Sequence, residues 1–462
     1  MDDYEMDDST TICPTSFLDL ANANKTVLDT IRQYLEPDQN NKKMFAEVFT
    51  PLFLVCDMLS KLPKSVWTNY DLVWLDPANG IGNFPVVVYY KLMSSLIDIP
   101  NKAKRSKHII EKMLWMVELN PVNVNVCKKI FKMLDPDSKP NIITGSFLEE
   151  STVSKLPTID IIIGNPPYQV PVGPQKKETL WNKFVLQSLS VLKKNGYLCF
   201  VHPSGWRDIS GKFKTIQKEL LSRTMLYLEI HSYKDGQKTF HSGTRYDFYV
   251  VQNKPVEHTK TKIKFEDGKQ MVVDTAKMEF IPNRNFDIIV SLLAKHGDES
   301  VETLYDRSLY GTDKSNMSKS KHGDESVETL HSSSIYETRN SYVSKTKHGA
   351  FIYPCVYSVN VKDEPSFFYS NDNTKGHFGI PKLIWGNGST GSIIDYKGEY
   401  GLTQFAYAII DTPTNLSKIK KVFDSKDFRN FITSLSVGLA GINTKYISLF
   451  KKDFYEKMKI EN

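Results

Sequence analysis

Residues 159–170 read IDIIIGNPPYQV, and this stretch decides the fold. Four isoleucines within five residues predict a buried β-strand. The two consecutive prolines that follow predict a stiff, extended turn, because proline fixes φ and removes a backbone donor. Asn165 and Tyr168 are thus held at the end of a buried strand. Since open α/β sheets form ligand sites at the carboxyl ends of parallel strands, the stretch predicts an α/β sheet with a site here.

The composition is that of an ordinary globular protein. The chain has 462 residues, of which 40% are hydrophobic and 24% charged, enough for two or three domains. The five cysteines have no paired spacing, which argues against a structural zinc site or a disulfide framework and suits a reducing cytosol. We therefore expect no metal. The net charge of +6 permits a polyanionic partner without requiring one.

The beginning of the chain does not resemble a targeting signal. It reads MDDYEMDDSTT, which is acidic, and no apolar run approaches the length needed to span a membrane. We expect residues 1–40 to form an acidic tail and a helix at 15–37. The expected location is cytoplasmic, or wherever the target of the protein resides, with no membrane association and no secretion.

Short apolar runs alternate with helical patterns from about residue 44 to 255. This alternation predicts an α/β fold with a Rossmann-like, doubly wound, mostly parallel sheet. We expect the last two strands to form an antiparallel hairpin at one edge, with only a loop between them. The predicted strands are 73–77, 114–119, 142–144, 160–164, 197–203, 225–231 and 247–252, and the predicted helices are 50–60, 85–98, 121–134, 181–193 and 211–222.

After residue 256 the sequence becomes rich in Ser, Thr, Asn, Tyr and Gly, which predicts a second, α+β domain over 256–462 with helices at 285–294 and 414–435. Within it, KHGDESVETL at 295–304 returns unchanged at 321–330, so a 26-residue tandem duplication covers 295–346. We favour a tolerated surface insertion over a duplicated DNA-contacting element, and two copies are too few for a solenoid.

A glycine-rich turn and an acidic residue follow two of the predicted strands. The strand at 73–77 carries Asp76 and runs into a turn with Gly80 and Gly82, while the next strand ends at Glu118. In nucleoside-binding α/β folds, an acid at that place holds the ribose hydroxyls. The turn lacks a third glycine and the Lys-Ser/Thr pair of a phosphate loop, which favours a nucleoside without a polyphosphate.

Four strand ends then meet at one rim of the predicted sheet. The third of them carries Ser146 and Phe147, and the fourth carries Asn165 and Tyr168. In this order the motifs resemble those of S-adenosylmethionine-dependent N6-adenine DNA methyltransferases of the type II restriction–modification class with gamma-like motif order. The resembling segments are 46–59, 76–84, 115–121, 164–168, 180–206 and 238–252, with 353–358 and 378–409 similar only in kind to recognition regions.

The resemblance implies an adenine-specific DNA methyltransferase with a catalytic domain over 41–255 and target recognition over 256–462. Its cofactor is S-adenosylmethionine, and its partners are double-stranded DNA and, in some systems, a separate cognate restriction endonuclease. The implied cofactor-binding residues are Thr50, Pro51, Asp76, Ala78, Gly80, Gly82, Glu118, Ser146, Phe147 and Asn165. The implied catalytic residues are Asn165, Pro166, Pro167 and Tyr168, with Tyr168 and Phe240 packing the extruded base.

This chemistry explains the stiff turn. An adenine amino group is a poor nucleophile because its lone pair is delocalised into the ring. The Asn165 side-chain oxygen and the Pro166 carbonyl can each accept one amine hydrogen, which frees the lone pair, while Tyr168 stacks on the flipped-out base. No base with a tuned pKa is needed before the attack, so positioning supplies most of the catalysis.

Some residues depart from the family pattern. Asn79 and Ile81 replace residues that are often Cys and Ser, and neither side chain is needed for close approach to a ligand. Ser146 stands where the family usually has an Asp that accepts a hydrogen bond from the cofactor's adenine amine. Because a serine hydroxyl accepts that bond without charge, we expect weaker cofactor binding.

Two other functions remain open from the sequence. Loops with the sequence NPPY also bind planar amides and other exocyclic amines, so a protein glutamine or an RNA base is an alternative substrate. The segment at 46–51 and the long C-terminal part favour DNA. The Ser146 departure also suits a catalytically weakened DNA-binding module. No nuclease signature is present, so the chain is either a solitary methylase or the modification partner of a separate endonuclease.

Overall fold

The computed structural model describes residues 50–171, 177–209, 211–256, 260–305, 310, 343–386, 391–437 and 444–458. The chain divides into two compact units, with the division between Ile281 and Pro282. The predicted acidic tail and helix within residues 1–40 lie outside the described residues, as does the second copy of the repeat at 321–330.

The first unit is built on a nine-stranded sheet whose strand order is β11-β10-β8-β9-β7-β4-β1-β2-β3. All its strands run in one direction except β9 and β11. Its strands are β1 (Trp74–Asp76), β2 (Leu114–Glu118), β3 (Asn141–Thr144), β4 (Ile159–Gly164), β7 (Leu192–Pro203), β8 (Arg223–His231), β9 (Tyr246–Pro255), β10 (Lys260–Lys264) and β11 (Gln270–Asp274). A separate antiparallel pair, β5 (Gln169–Pro171) and β6 (Lys177–Thr179), follows β4.

Helices connect these strands. They are α1 (Leu52–Ser60), α2 (Asn83–Ser95), α3 (Lys102–His108), α4 (Pro121–Leu134), α5 (Glu150–Val153), α6 (Trp181–Val191), α7 (Lys214–Leu221) and α8 (Tyr233–Phe240), with short 3-10 turns at Lys64–Trp67, Ser204–Arg207 and Thr275–Lys277 and a π-helical turn at Ile109–Met113. The predicted α/β class and mostly parallel sheet are confirmed, and each of the seven strands predicted between 73 and 252 is present. The parallel strands form where buried residues follow one another, as along β4.

The end of this unit differs from the prediction. Strands β8 and β9 are antiparallel as expected, but α8 lies between them instead of a loop, stabilised at its start by a capping box of Ser232 and Asp235. The hairpin is also not at the edge of the sheet, because β10 pairs with β8 in parallel and β11 pairs with β10. The unit therefore ends at Ile281, later than the expected boundary at 255.

The topology places a crevice between β1 and β4. From β1 the chain moves outward through β2 to β3 and then returns to the other side of β1 as β4. Such a reversal separates the connections that follow the two central strands, and a ligand can enter between them at the carboxyl ends. The residues that follow β1, β2, β3 and β4 therefore meet at one edge of the sheet.

The second unit contains two four-stranded sheets, ordered β12-β19-β16-β17 and β13-β15-β14-β18. Their strands are β12 (Thr303–Leu304), β13 (Val343–Ser344), β14 (Tyr353–Val359), β15 (Pro365–Ser370), β16 (Lys382–Gly386), β17 (Ser392–Asp395), β18 (Gly401–Leu402) and β19 (Ala406–Ile410). Its helices are α9 (Phe286–Leu292), α10 (Pro413–Asp424), α11 (Lys426–Leu435), α12 (Thr444–Ile447) and α13 (Phe454–Lys457). The predicted helix at 414–435 is thus two helices, with Ser425 as the N-cap of the second.

The first copy of the repeat is an integral part of this second unit. Its residues Thr303 and Leu304 form β12, which pairs with β19. Val301 is 5% exposed, and its backbone N–H donates to the Phe450 carbonyl at 2.9 Å. A segment that pairs with a sheet and buries a valine contributes to folding.

Among the described residues, no helix has both the length and the apolar character that crossing a bilayer requires.

Candidate functional site

A cavity opens at the carboxyl ends of β1 to β4, where the topology requires a crevice. It is lined by residues from all four strand ends and by the first turns of α2, α4 and α6. Ten of the residues expected at the site line it: Thr50, Ala78, Gly80, Glu118, Ser146, Phe147, Asn165, Pro166, Pro167 and Tyr168. The structure thus brings together the four strand ends that the sequence predicts to share one rim.

The glycine-rich turn is held by the neighbouring strand. The Asn79 N–H donates to the Val117 carbonyl at 3.0 Å, and Gly80 and Gly82 have positive φ values of 56° and 104°. A side chain on Gly82 would lie 3.1 Å from the Cys127 sulfur, so only glycine suits this turn. Gly82 faces α4 behind the turn and does not line the cavity.

Glu118 links the turn to the start of α4. Its Oε2 accepts a hydrogen bond from the Gly80 N–H at 2.7 Å, and its Oε1 accepts one from the Asn120 N–H at 2.7 Å. The side chain is 8% exposed and lines the cavity. Since each carboxylate oxygen has two lone pairs, Glu118 retains the capacity to accept further bonds, as from a ribose.

Asp76 lies beneath the turn rather than at the cavity wall. It is buried, and its Oδ1 accepts a hydrogen bond from the Ala78 N–H at 3.1 Å. Burial raises the pKa of Asp76 to about 8; the nearby Glu118 charge acts in the same direction, and the bond from Ala78 opposes it. The structure therefore places Asp76 where it supports the turn, although the resemblance assigned it to the cofactor.

The third strand end carries a polar and an aromatic group. Ser146 Oγ accepts a hydrogen bond from the Leu148 N–H at 3.2 Å, which leaves a lone pair on the hydroxyl oxygen. Phe147 is 1% exposed, and its ring centroid lies 5.7 Å from that of Phe184 on α6. These two rings give the cavity an apolar wall that suits a planar base.

The loop after β4 begins at Gly164, which has a φ of 146°. It brings Asn165 and Tyr168 into the cavity wall, and the Tyr168 carbonyl accepts a hydrogen bond from the Leu180 N–H at 3.0 Å just before α6. Burial raises the pKa of Tyr168 far above its ordinary value, and nearby Tyr246 adds to this. Tyr168 therefore remains a neutral phenol.

Two further expected residues lie close to the cavity without lining it. Phe240, at the end of α8, contacts Tyr168 edge to face with ring centroids 6.3 Å apart, and it contacts Tyr246 in the same way at 4.9 Å. Pro51 precedes α1, where its carbonyl accepts the Leu54 N–H at 3.0 Å. Phe240 thus packs against Tyr168, and Pro51 is the N-cap of α1.

Several polar lining residues were not expected from the sequence: Asn79, Asn83 and Asn123. Asn83 is 4% exposed, and its Nδ2 donates to the Thr50 carbonyl at 2.9 Å. Its Oδ1 accepts no hydrogen bond from the described part of the chain. Thr50 and Asn83 lie in the resembling segments 46–59 and 76–84, but the sequence does not predict the contact between them, because 33 residues separate the two.

The cavity suits a nucleoside that carries a donor group. It combines a carboxylate at the second strand end, an apolar wall with two phenylalanines, and a buried carboxamide oxygen beside the glycine turn. A ribose, a planar base and an N–H donor would each find a partner of the right kind.

Comparison with known proteins identifies relatives of part of the chain. Residues 97–240 match the family model described as Eco57I restriction-modification methylase. That segment contains the loop at 164–168 but not the glycine turn at 76–84. A curated relative from Mycoplasma pneumoniae, named as an uncharacterized adenine-specific methylase, is 22% identical over 312 residues, which are 50% of this chain and 73% of the relative.

Solved structures with a similar arrangement come from restriction–modification systems. The M protein of the type I restriction enzyme EcoKI matches with 16% identity and a TM-score of 0.38, over 47% of this chain and 47% of that chain. A modification subunit of a type I enzyme from Vibrio vulnificus YJ016, itself described as putative in function, matches with 17% identity and a TM-score of 0.39, over 60% and 57%. The chain thus spans about half the length of these two structures.

Proposed function

We propose that this chain, whose residues 97–240 match the Eco57I restriction-modification methylase family, transfers a methyl group from S-adenosylmethionine to the N6 amine of adenine in double-stranded DNA. The observation that carries the proposal is the shared cavity. It combines the glycine turn, Glu118 and the Asn165–Tyr168 loop at the switch between β1 and β4. The family match and the adenine-specific relative support the choice of base.

The cofactor fits the residues at the cavity wall. Glu118 would hold the ribose hydroxyls, Phe147 would pack against the adenine, and Ser146 would accept from the adenine amine, all from neighbouring strand ends. The remaining part of the cofactor would lie beside the glycine turn and Thr50. When bound, S-adenosylmethionine supplies a methyl group activated by a positively charged sulfur.

The loop after β4 would position the base. The Asn165 side-chain oxygen and the Pro166 carbonyl accept one amine hydrogen each, which localises the nitrogen lone pair. Tyr168 stacks on the base and holds it outside the duplex, and Phe240 supports the Tyr168 ring at 6.3 Å. Two adjacent prolines restrict the loop, so little ordering is required on binding. The proton lost from the amine passes to water.

The second unit would supply recognition of the DNA sequence. The residues proposed for the chemistry lie in the first unit, which leaves the second unit, from Pro282 onward, for contacts outside the reacting base. Reading a sequence requires side chains that reach base edges in the major groove. We therefore propose that the methylated adenine lies within one defined sequence.

The proposal is tested by offering the full chain three substrates with methyl-labelled S-adenosylmethionine: mixed-sequence duplex DNA, RNA and a protein extract. Label is expected in DNA, in N6-methyladenine, at one sequence when the product is read base by base. Label in protein glutamine or RNA would replace the substrate proposal. Cofactor binding with no transfer to any of the three would favour a binding module.

A further inference from the structure

We infer that the second copy of the repeat, residues 321–330, is an alternative occupant of the site that holds the first copy, residues 295–304, within the same chain. The fold of the second unit then requires only one of the two copies. This inference goes beyond the proposed function and does not depend on it, because it concerns an interaction within the second unit.

The first copy occupies a docking site formed by β19 and residues 450–452. Its strand β12 pairs with β19 and so extends that sheet by one strand. Val301 is 5% exposed, and its N–H donates to the Phe450 carbonyl at 2.9 Å. Strand pairing and the burial of a valine hold the segment in place.

Two ion pairs add to the docking site. Lys451 Nζ lies 3.2 Å from the Asp298 carboxylate, and Lys452 Nζ lies 3.0 Å from the Glu299 carboxylate. Exposed pairs of this kind stabilise little, but complementary charges favour one register over others. The docking site thus accepts a segment with two successive acidic residues at this position.

The second copy has every side chain that makes these contacts. KHGDESVETL at 321–330 is identical to 295–304, so Val327 corresponds to Val301, and the acidic pair recurs at the same place. Identical segments can make identical contacts with the docking site. The site therefore does not distinguish the two copies by their ten residues.

The similarity continues beyond the ten residues, to a buried tyrosine. Tyr310 is completely buried, and its hydroxyl accepts a hydrogen bond from the Lys375 N–H at 3.2 Å. Tyr310 follows Leu304 by six residues, and Tyr336 follows Leu330 by the same number. A chain with the second copy in the docking site can therefore place Tyr336 where Tyr310 lies.

The connection to the next strand permits both arrangements. Tyr310 and Val343, the first residue of β13, belong to one buried cluster with Cys355. Tyr336 precedes Val343 by seven residues, which span up to about 23 Å when extended, so the shorter connection can close. The residues left outside the docking site are then 295–320, and the cost of closing such a connection changes slowly with its length.

One contact favours the first copy. Tyr305 packs against Tyr407 with ring centroids 4.7 Å apart, whereas the residue that follows the second copy is His331. An aromatic pair changes a population by about tenfold at most. We therefore expect the first copy to occupy the docking site in most molecules and the second copy in a minority.

The test is thermal unfolding of the full chain with Val301→Asp, Val327→Asp and the double variant, followed at the transition of the second unit. Val327→Asp is expected to leave the melting temperature within about 1 °C of wild type. Val301→Asp is expected to lower it by about 5 °C at most, because the second copy replaces the first. The double variant has a charge at the buried position of either copy, so its loss is expected to exceed the sum of the two single losses by about 5 °C or more.

A disulfide trap identifies the occupant directly. Ser300 and Lys451 form an antiparallel bridge, a pair at a separation that a disulfide spans, so Ser300→Cys with Lys451→Cys is the positive control. Ser326→Cys with Lys451→Cys is expected to form the corresponding bond within one chain, in a larger fraction of molecules when Val301→Asp is added. Ser315→Cys with Lys451→Cys, from a segment outside both copies, is the negative control.

Two stability results would overturn the inference: a Val301→Asp variant as unstable as the double variant, or single losses that simply add. A melting temperature of Val301→Asp that rises with protein concentration would place the second copy on another chain and would overturn occupancy within the same chain. A disulfide yield for Ser326→Cys no higher than that for Ser315→Cys, with Val301→Asp present in both, would also overturn the inference.

Discussion

Asp76 lies directly against Gly164, so that a methyl group added to this glycine would come within 2.9 Å of the carboxylate oxygen Oδ1. The two residues end β1 and β4, the strands on either side of the topological switch. Asp76 also accepts a hydrogen bond from Ala78 in the glycine turn, and Gly164 starts the loop that carries Asn165. The glycine turn and the loop at 164–168 therefore share one contact.

Gly164→Ala is expected to destabilise the protein by about 1–3 kcal/mol and to lower methyl transfer, because alanine at a φ of 146° is strained and its methyl group meets Asp76. Thermal unfolding and a transfer assay measure the two effects. Gly268→Ala is the matched control, since its φ of 83° is strained for alanine but nothing lies within 4 Å of the added carbon. Equal losses of stability and activity in both variants would contradict a role for the Asp76 contact.

Asp76→Asn is expected to alter how stability depends on pH. The pKa of Asp76 is about 8 in the folded protein because of burial, against an ordinary value of 3.8. The folded state thus binds a proton that the unfolded state has released, so wild type loses stability as the pH rises from about 4 to about 8. The Asn variant lacks this loss.

The free energy of unfolding of Asp76→Asn should therefore increase relative to that of wild type as the pH rises across that range. One pK unit corresponds to about 1.4 kcal/mol, so a change of at least this size is expected in the free energy of unfolding. Chemical denaturation at pH 5 and pH 9 measures it. If the free energies of unfolding of the two proteins differ by the same amount at pH 5 and pH 9, Asp76 is ionised in both the folded and the unfolded state.

Ser146→Asp is expected to tighten binding of S-adenosylhomocysteine by about tenfold. The serine hydroxyl already accepts from the Leu148 N–H, and a carboxylate can keep that bond while it accepts a stronger one from the adenine amine. Calorimetry gives the dissociation constant. An unchanged or weaker affinity would mean that the adenine amine does not face this residue.

Comparison of Tyr168→Phe with Tyr168→Ala distinguishes the contribution of the aromatic ring to methyl transfer from that of the hydroxyl. Stacking on a base contributes about 1–3 kcal/mol, so the Ala variant should lose roughly 10- to 100-fold in methyl transfer, and the Phe variant should stay close to wild type. Because burial raises the pKa of Tyr168, the pH profile of the wild-type rate should show no tyrosine ionisation between pH 6 and pH 9. A large loss in Tyr168→Phe would assign chemistry to the hydroxyl.

The sequence predicts the central strands because each is a buried apolar run, and the completely buried Ile161 and Ile162 of β4 are the strongest case. Helix α8 was missed because its residues are mostly polar; the Ser232 and Asp235 capping pair was the available signal. The sequence does not predict β10 because its residues, KTKIK, alternate with lysine, and it does not predict β11 because QMVVD is a short run between polar residues.

The site was predicted where a motif follows a strand, as at Glu118 and Asn165, because topology alone brings strand ends together. The sequence does not predict how deeply a side chain is buried, and it does not predict contacts between residues that are distant along the chain. Position within a motif does not determine whether Asp76 lines the cavity or lies beneath it, and it does not predict that Asn83 donates to the Thr50 carbonyl.

The most direct test of the central claim compares wild type with Asn165→Ala in one assay of N6-methyladenine formed on duplex DNA, with cofactor binding measured on the same preparations. Loss of one preorganised hydrogen-bonding group at a reacting centre costs about 100- to 1000-fold in rate. We expect a loss of that size in Asn165→Ala, with S-adenosylhomocysteine bound within a few-fold of wild type. Equal rates of N6-methyladenine formation in the two proteins would contradict the account.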